Sequence, residues 1–168
     1  KYLFSGDDMR NKLAFIGAGN MGCAIANGIL LSDMMEPSQL TLVRRNIEKL
    51  AEFKERGCGV SDDVIGACRA SDAIILGVKP QMFGEIMPLI APYVEGKLVI
   101  SIAAGVTVET MQNALPGAFI VRVMPNTPLM VGRGVSAICY GEGVNDEDKA
   151  FAEKIFSSAG MCFVIEES

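Results

Sequence analysis

Apolar residues come in short runs with few or no polar interruptions, and between the runs they recur at helical spacing. The runs fall at residues 13–16, 40–43, 58–60, 73–78, 98–102, 118–124, 135–140 and 161–165. Each has the length of a strand. The run Ala73-Ile74-Ile75-Leu76-Gly77-Val78 is apolar throughout, as expected of a central parallel strand covered on both faces. The stretches 20–31, 47–56, 62–70, 81–90, 106–114 and 146–158 read as helices. Asn46 can cap the second of these, and Gly57 stops it. Residues 32–39 are polar with a proline and form a loop. Strand and helix alternate along the whole chain, so the expected class is α/β with a doubly wound, largely parallel sheet.

The first run stops at Gly17-Ala18-Gly19-Asn20-Met21-Gly22. Glycines at this spacing, after a strand and before a helix, are what a dinucleotide-binding turn requires and make the expected sheet Rossmann-like. Gly17 can take the sharp turn. Gly19, without a side chain, lets the backbone approach a pyrophosphate. Gly22 lets the helix pack on the strand. The free N–H groups and positive end of the helix then face the phosphates.

In an open α/β sheet, ligands lie beyond the carboxyl ends of the strands. The second strand ends in Arg44-Arg45, with no carboxylate from Thr41 to Ile47. An acidic residue there would take the ribose 2′-hydroxyl of NAD(H); a guanidinium matches a 2′-phosphate in charge and geometry. NADP(H) is therefore favoured over NAD(H), the plain alternative being a solvated arginine pair. After the fourth strand, Val78-Lys79-Pro80 reads either as a loop over the nicotinamide ribose or as a strand terminator with an exposed lysine. Ala103-Ala104-Gly105 lets a flat ring approach the backbone, or simply connects strand to helix. Met124-Pro125-Asn126-Thr127-Pro128 is a rigid turn. Asn126 and Thr127 either face the nicotinamide and substrate or satisfy their own backbone in an Asx-type turn.

Composition narrows the chemistry. The 168 residues suit one domain, and 50% are hydrophobic, which suits a doubly covered sheet. The residues before Met9 read as a tag remnant or ragged start, so the domain is set at 12–168, with 1–11 outside the fold. A net charge of −5 makes nucleic acid an unfavoured partner. The apolar runs are too short to span a bilayer, and no secretory signal is legible. Cys23, Cys58, Cys68, Cys139 and Cys162 are scattered and odd in number. They read as small buried hydrophobes of a reducing, cytoplasmic compartment rather than disulfides or metal ligands. With no histidine in the chain, histidine general acid–base chemistry is excluded. The ten methionines read as core fillers.

Four segments in fixed order carry a family resemblance: Phe15 to Gly22, Gly77-Val78-Lys79-Pro80, Ser101-Ile102-Ala103-Ala104-Gly105-Val106-Thr107, and Arg122-Val123-Met124-Pro125-Asn126-Thr127-Pro128. Together they closely resemble pyrroline-5-carboxylate reductase, over essentially 12–168. The resemblance implies an N-terminal NAD(P)H domain followed by a helical, dimer-building domain. It also implies hydride transfer to the C=N bond of 1-pyrroline-5-carboxylate, giving L-proline. By the same resemblance Ile16, Gly17, Ala18, Gly19, Asn20 and Met21 hold the pyrophosphate and Arg44 (or Arg45) the 2′-phosphate. Val78, Lys79, Pro80, Ala103 and Ala104 line the ribose and nicotinamide, and Asn126 and Thr127 lie towards the imine. Asp62 and Asp63 depart from an asparagine common near the adenosine in that family. Because the chain ends where the helical domain would begin, it is expected to bind NADPH yet show little reductase activity alone. Competing readings are a hydroxyacid-type dehydrogenase, a deazaflavin-dependent reductase and a non-catalytic nucleotide-binding module; the Met-Pro-Asn-Thr-Pro turn argues against the first two.

Overall fold

The structure is a computed structural model that describes residues 10–126 and 134–167. The elements run β1 (Leu13–Ile16), α1 (Asn20–Leu31), β2 (Leu40–Val43), α2 (Ala51–Glu55), β3 (Gly59–Ser61), α3 (Val64–Ala70), β4 (Ala73–Leu76), α4 (Phe83–Ile90), β5 (Leu98–Ser101), α5 (Val108–Ala114), β6 (Phe119–Met124), β7 (Gly134–Tyr140), α6 (Asp146–Ser157) and β8 (Gly160–Val164). The eight strands form one sheet in the order β3-β2-β1-β4-β5-β6-β7-β8. All neighbours are parallel except β6 and β7. The chain reverses direction across the sheet between β1 and β4, which is where a doubly wound sheet opens a crevice.

Alternation along each strand builds the two cores. Leu13 and Phe15 face α1, α2 and α6, packing with Ile25, Ile29, Phe53, Phe151 and Phe156. Ala14 and Ile16 face α3, α4 and α5, packing with Cys68, Phe83, Ile90 and Met111. At the far edge β8 leaves Met161 and Phe163 largely exposed.

The helix starts differ from the sequence expectation, each for a local reason. Asp63 accepts the Gly66 N–H, so α3 begins at Val64. Thr107 accepts the Thr110 N–H, so α5 begins at Val108 rather than 106. The 47–56 stretch divides: Asn46 accepts the Glu48 N–H, the Lys49 N–H returns to the Asn46 carbonyl, and this tight turn runs as a 3-10 helix over Ile47–Leu50 before α2. Pro80 likewise opens a 3-10 turn, Pro80–Met82, ahead of α4.

The domain boundary also moves. Residues 1–9 lie outside the described residues, but Arg10 and Asn11, expected to stand outside the fold, are part of it. The Arg10 guanidinium clasps the buried Asp148 carboxylate with Nε and Nη2 (2.9 and 3.1 Å), and Nη1 donates to the Asp72 and Gly96 carbonyls (3.1 and 3.0 Å). The Asn11 N–H donates to Asp72 Oδ2, and Gln39 Nε2 donates to the Asn11 carbonyl.

Candidate functional site

The carboxyl ends of β2, β1 and β4 surround a cleft of about 560 Å³. Its floor is the glycine turn after β1. The Gly17 and Ala18 N–H groups both donate to the Val43 carbonyl (3.0 and 2.9 Å), and the Gly19 N–H donates to the Gly17 carbonyl (2.7 Å), which bends the chain sharply into α1. Gly17 sits at φ +79°, and a Cβ there would lie 2.7 Å from Val78 Cγ1 and 2.9 Å from the Val78 nitrogen. The fold itself therefore demands this glycine.

Gly19 is different. A Cβ built on it meets no atom of the described residues within 4 Å, and its φ is −83°. Nothing in the fold requires a glycine here; the space above it opens into the cleft, as a group laid against the backbone needs. Gly22 carries less than expected. A Cβ there makes only ordinary contacts, at 3.7 Å from the Gly17 carbonyl oxygen, so close packing of α1 on the strand does not depend on it. The tight approach lies further along α1, where a Cβ on Gly28 would meet Ser158 Oγ at 2.9 Å.

Helix α1 starts at Gly19 with no side-chain cap and no acidic residue in its first turn. The other helices that spring directly from a loop are capped: α3 by Asp63, α5 by Thr107 and α6 by Asn145. Its unsatisfied N–H groups and positive end thus open on the cleft, the arrangement that receives an anion.

Of the residues the sequence singled out, Ile16, Gly17, Gly19, Arg44, Arg45, Val78 and Lys79 line this one cleft. Arg44 lies at its end, with Nη1 donating to the Ala18 carbonyl at 3.3 Å; Arg45 is exposed, and neither joins an ion pair among the described residues. The other candidates lie elsewhere. The Ala18 side chain is fully buried, so only its backbone faces the turn. Asn20 lines a smaller hollow with Cys23, Asn27 and Glu52, because the helix turns it away from the cleft, and Met21 packs on the core. Pro80 is exposed at the start of its 3-10 turn. Ala103 is buried, its N–H donating to Ser101 Oγ (3.2 Å), and Ala104 is exposed. Both follow β5, two strands from β1 and thus roughly 10 Å along the same edge. Asn126 corrects the Asx-turn alternative: its Oδ1 accepts the Val135 N–H at 3.0 Å and closes the connection from β6 to β7. Thr127 lies outside the described residues.

Sequence reasoning missed the opposite wall. Val64 from α3, Met82 at the end of the 3-10 turn, and Ile86 and Leu89 on α4 give the cleft an apolar side, and Asn46, Asp62 and Glu85 add polar groups. Of these, the family resemblance already set Asp62 near the adenosine; the apolar residues recur at helical spacing, but a methionine there reads as a core filler. Beside the turn, Cys23 Sγ lies 3.5 Å from the Ala18 carbonyl; burial pushes its pKa up, and the nearby Arg44 charge pulls it partly back.

A family model described as NADP oxidoreductase coenzyme F420-dependent matches residues 12–105, which include the glycine turn, Arg44, Arg45 and Val78-Lys79-Pro80. The pyrroline-5-carboxylate reductase of Glycine max is 35% identical over 160 residues, covering 92% of this chain and 57% of that protein. A pyrroline-5-carboxylate reductase structure from Coxiella burnetii superposes with a TM-score of 0.89 at 28% identity, over 96% of this chain and 60% of that one. Plasmodium falciparum pyrroline carboxylate reductase, solved with NADP bound, superposes with a TM-score of 0.81 at 32% identity, over 93% and 58%. The chain thus spans under two thirds of the length of these relatives. Among its described residues no helix is long and apolar enough to cross a membrane. The chain belongs to the NADP oxidoreductase, coenzyme F420-dependent family, and over most of its length it is similar to pyrroline-5-carboxylate reductases.

Proposed function

We propose that this chain is the NADP(H)-holding domain of a pyrroline-5-carboxylate reductase, an oxidoreductase of proline biosynthesis. The observation that carries the reading is the uncapped, glycine-led start of α1 opening on a cleft that also presents Arg44 and Arg45. The backbone N–H groups at the start of α1 receive the pyrophosphate. Gly17 shapes the turn and Gly19 leaves room for the phosphates. The guanidinium groups take the 2′-phosphate, and the apolar wall of Val64, Met82, Ile86 and Leu89 receives the adenine. From the cleft, an extended dinucleotide reaches along the sheet edge past Val78-Lys79-Pro80 towards Ala103, Ala104 and Asn126, with Thr127 on the same side.

When bound, the nicotinamide supplies a hydride for the C=N bond of 1-pyrroline-5-carboxylate. The domain's part is to hold and orient the dinucleotide, and such positioning needs no histidine. In the full-length relatives' arrangement we place the substrate site and the homo-oligomer contacts in the portion beyond this domain, and the reaction in the cytoplasm. The five unpaired cysteines fit a reducing compartment.

The family description favours one second reading, in which the same domain passes hydride between NADP and coenzyme F420. It rests on residues 12–105, whereas the resemblance to the imine reductases runs over 160 residues. Titration with NADPH and NADH tests the cofactor assignment. Arg44→Glu and Arg45→Glu are each expected to weaken NADPH by about tenfold or more, the scale of a lost charged hydrogen bond, with NADH little changed. Equal affinity of the wild type for both cofactors, unaltered by either substitution, refutes the 2′-phosphate site.

A further inference from the structure

The arginine end of the cleft also carries a carboxylate. β2 and β3 run parallel in the register Val43↔Ser61, and the Arg44 N–H donates to the Ser61 carbonyl at 3.1 Å. Asp62 is the next residue along, so its Cα stands about one strand spacing, roughly 5 Å, from the backbone of Arg44. Asp62 lines the cleft with Arg44, Arg45 and Asn46. It is exposed and forms no ion pair among the described residues. Its neighbour Asp63 is occupied differently, capping α3 through the Gly66 N–H. The cleft's other carboxylate, Glu85, belongs to α4 on the opposite wall.

A carboxylate beside two guanidinium groups affects the two cofactors unequally. It repels a 2′-phosphate that the arginines attract, and it accepts a hydrogen bond from a ribose hydroxyl that carries no phosphate. We infer that Asp62 is a specificity-determining residue that opposes Arg44 and Arg45 and narrows the preference for NADPH over NADH. This inference rests on the dinucleotide reading of the cleft and deepens it.

The test is the ratio of dissociation constants for NADH and NADPH, followed through the fluorescence of the reduced nicotinamide; the chain has no tryptophan to confuse the signal. Asp62→Asn is expected to raise the ratio about fivefold or more in favour of NADPH, the scale of one unit-charge repulsion at close range in a solvated cleft. Added salt shrinks the change. Asp62→Glu keeps the charge and stays near the wild-type ratio. Glu142→Gln, an exposed acid lining a separate cleft, removes the same net charge and leaves the ratio unmoved. An unchanged ratio in Asp62→Asn, with both cofactors still bound, overturns this inference alone, as does an equal shift in Glu142→Gln. Failure of the wild type to bind either cofactor overturns the dinucleotide reading and this inference together.

Discussion

At the amino edge of the sheet, the Arg10 guanidinium makes four hydrogen bonds, two to Asp148 and one each to the Asp72 and Gly96 carbonyls. At the carboxyl edge, the Arg44 guanidinium makes one described bond, a 3.3 Å contact to the Ala18 carbonyl. The two arginines flank the same sheet, Arg10 ahead of β1 and Arg44 just after β2, and differ in what surrounds them. Arg10 is almost wholly buried and its charge is matched by a carboxylate 1% exposed. Arg44 stands half-buried at the rim of an open cleft, beside a helix terminus that no side chain among the described residues caps. Buried polar groups in a folded chain are normally satisfied from within. Where a fold satisfies one edge from within and leaves donors free at the other, the free donors mark where a ligand completes the structure.

The largest effect belongs to the satisfied edge. Arg10→Ala leaves the Asp148 carboxylate buried without its partner and is expected to lower unfolding stability by about 3–5 kcal/mol, read from urea denaturation. Arg10→Met combined with Asp148→Leu removes both charges and should recover much of that loss. The cofactor affinity of the protein that remains folded should match the wild type. If affinity falls in step with the loss of Arg10 under conditions where the protein is fully folded, the two edges are not separate, and the contrast fails.

The same contrast is drawn within three residues of the glycine turn. Gly17→Ala puts a side chain at φ +79° and against Val78, and should cost at least about 1–2 kcal/mol of stability. Gly19→Ala meets no atom of the described residues and has a permissive φ, so stability should hold or rise by about 0.5 kcal/mol. Its new methyl group, however, projects into the space where a phosphate would lie, and NADPH affinity should drop about tenfold or more. Paired denaturation and titration curves for the two variants separate a glycine the fold needs from one a ligand needs. Loss of stability in Gly19→Ala with affinity intact would remove the argument that this opening is kept for a ligand.

Much of this was readable from the chain because the informative signals are local. Short, mostly apolar runs mark the strands, and the glycine turn and Arg44-Arg45 fall at strand ends by sequence position alone. What escaped is non-local. Arg10 looks like an isolated cation ahead of β1, since its partner is 138 residues away. Gly22 reads as the packing glycine by its place in the motif, but the close approach is at Gly28, against a residue that follows α6. Met82 reads as a core filler, and Ile86 and Leu89 only as part of a helix, because periodicity marks an apolar face without saying whether protein or a cleft lies against it. The Asn126 bond to Val135 depends on the antiparallel return of β7, which the sequence reading did not specify.

The smallest effect sharpens the comparison through thiols. Cys68 on α3 lies near the amino edge, where Lys97 Nζ donates to its carbonyl at 2.5 Å. Burial pushes its thiol from an ordinary 9.0 to about 11, with Lys97 pulling the other way. Cys23 at the carboxyl edge is also pushed up by burial, but the Arg44 charge opposes the shift. A raised thiol keeps its proton in the folded state while the unfolded chain has already lost it. Its contribution to stability is therefore complete below about pH 9 and disappears as pH rises towards about pH 11, with a slope of at most about 1.4 kcal/mol per pH unit for each thiol. Cys58 and Cys139, raised by burial as well, add to the same loss. Cys68→Ala should flatten the alkaline fall in urea midpoints, whatever constant offset its smaller side chain brings, and leave NADPH affinity unchanged. Arg44→Gln should do the reverse on both counts, steepening the fall by freeing the Cys23 thiol to shift further and weakening NADPH. Parallel pH curves for Cys68→Ala and the wild type would mean that the amino edge is not the dry, internally satisfied region that sets Arg10 apart from Arg44.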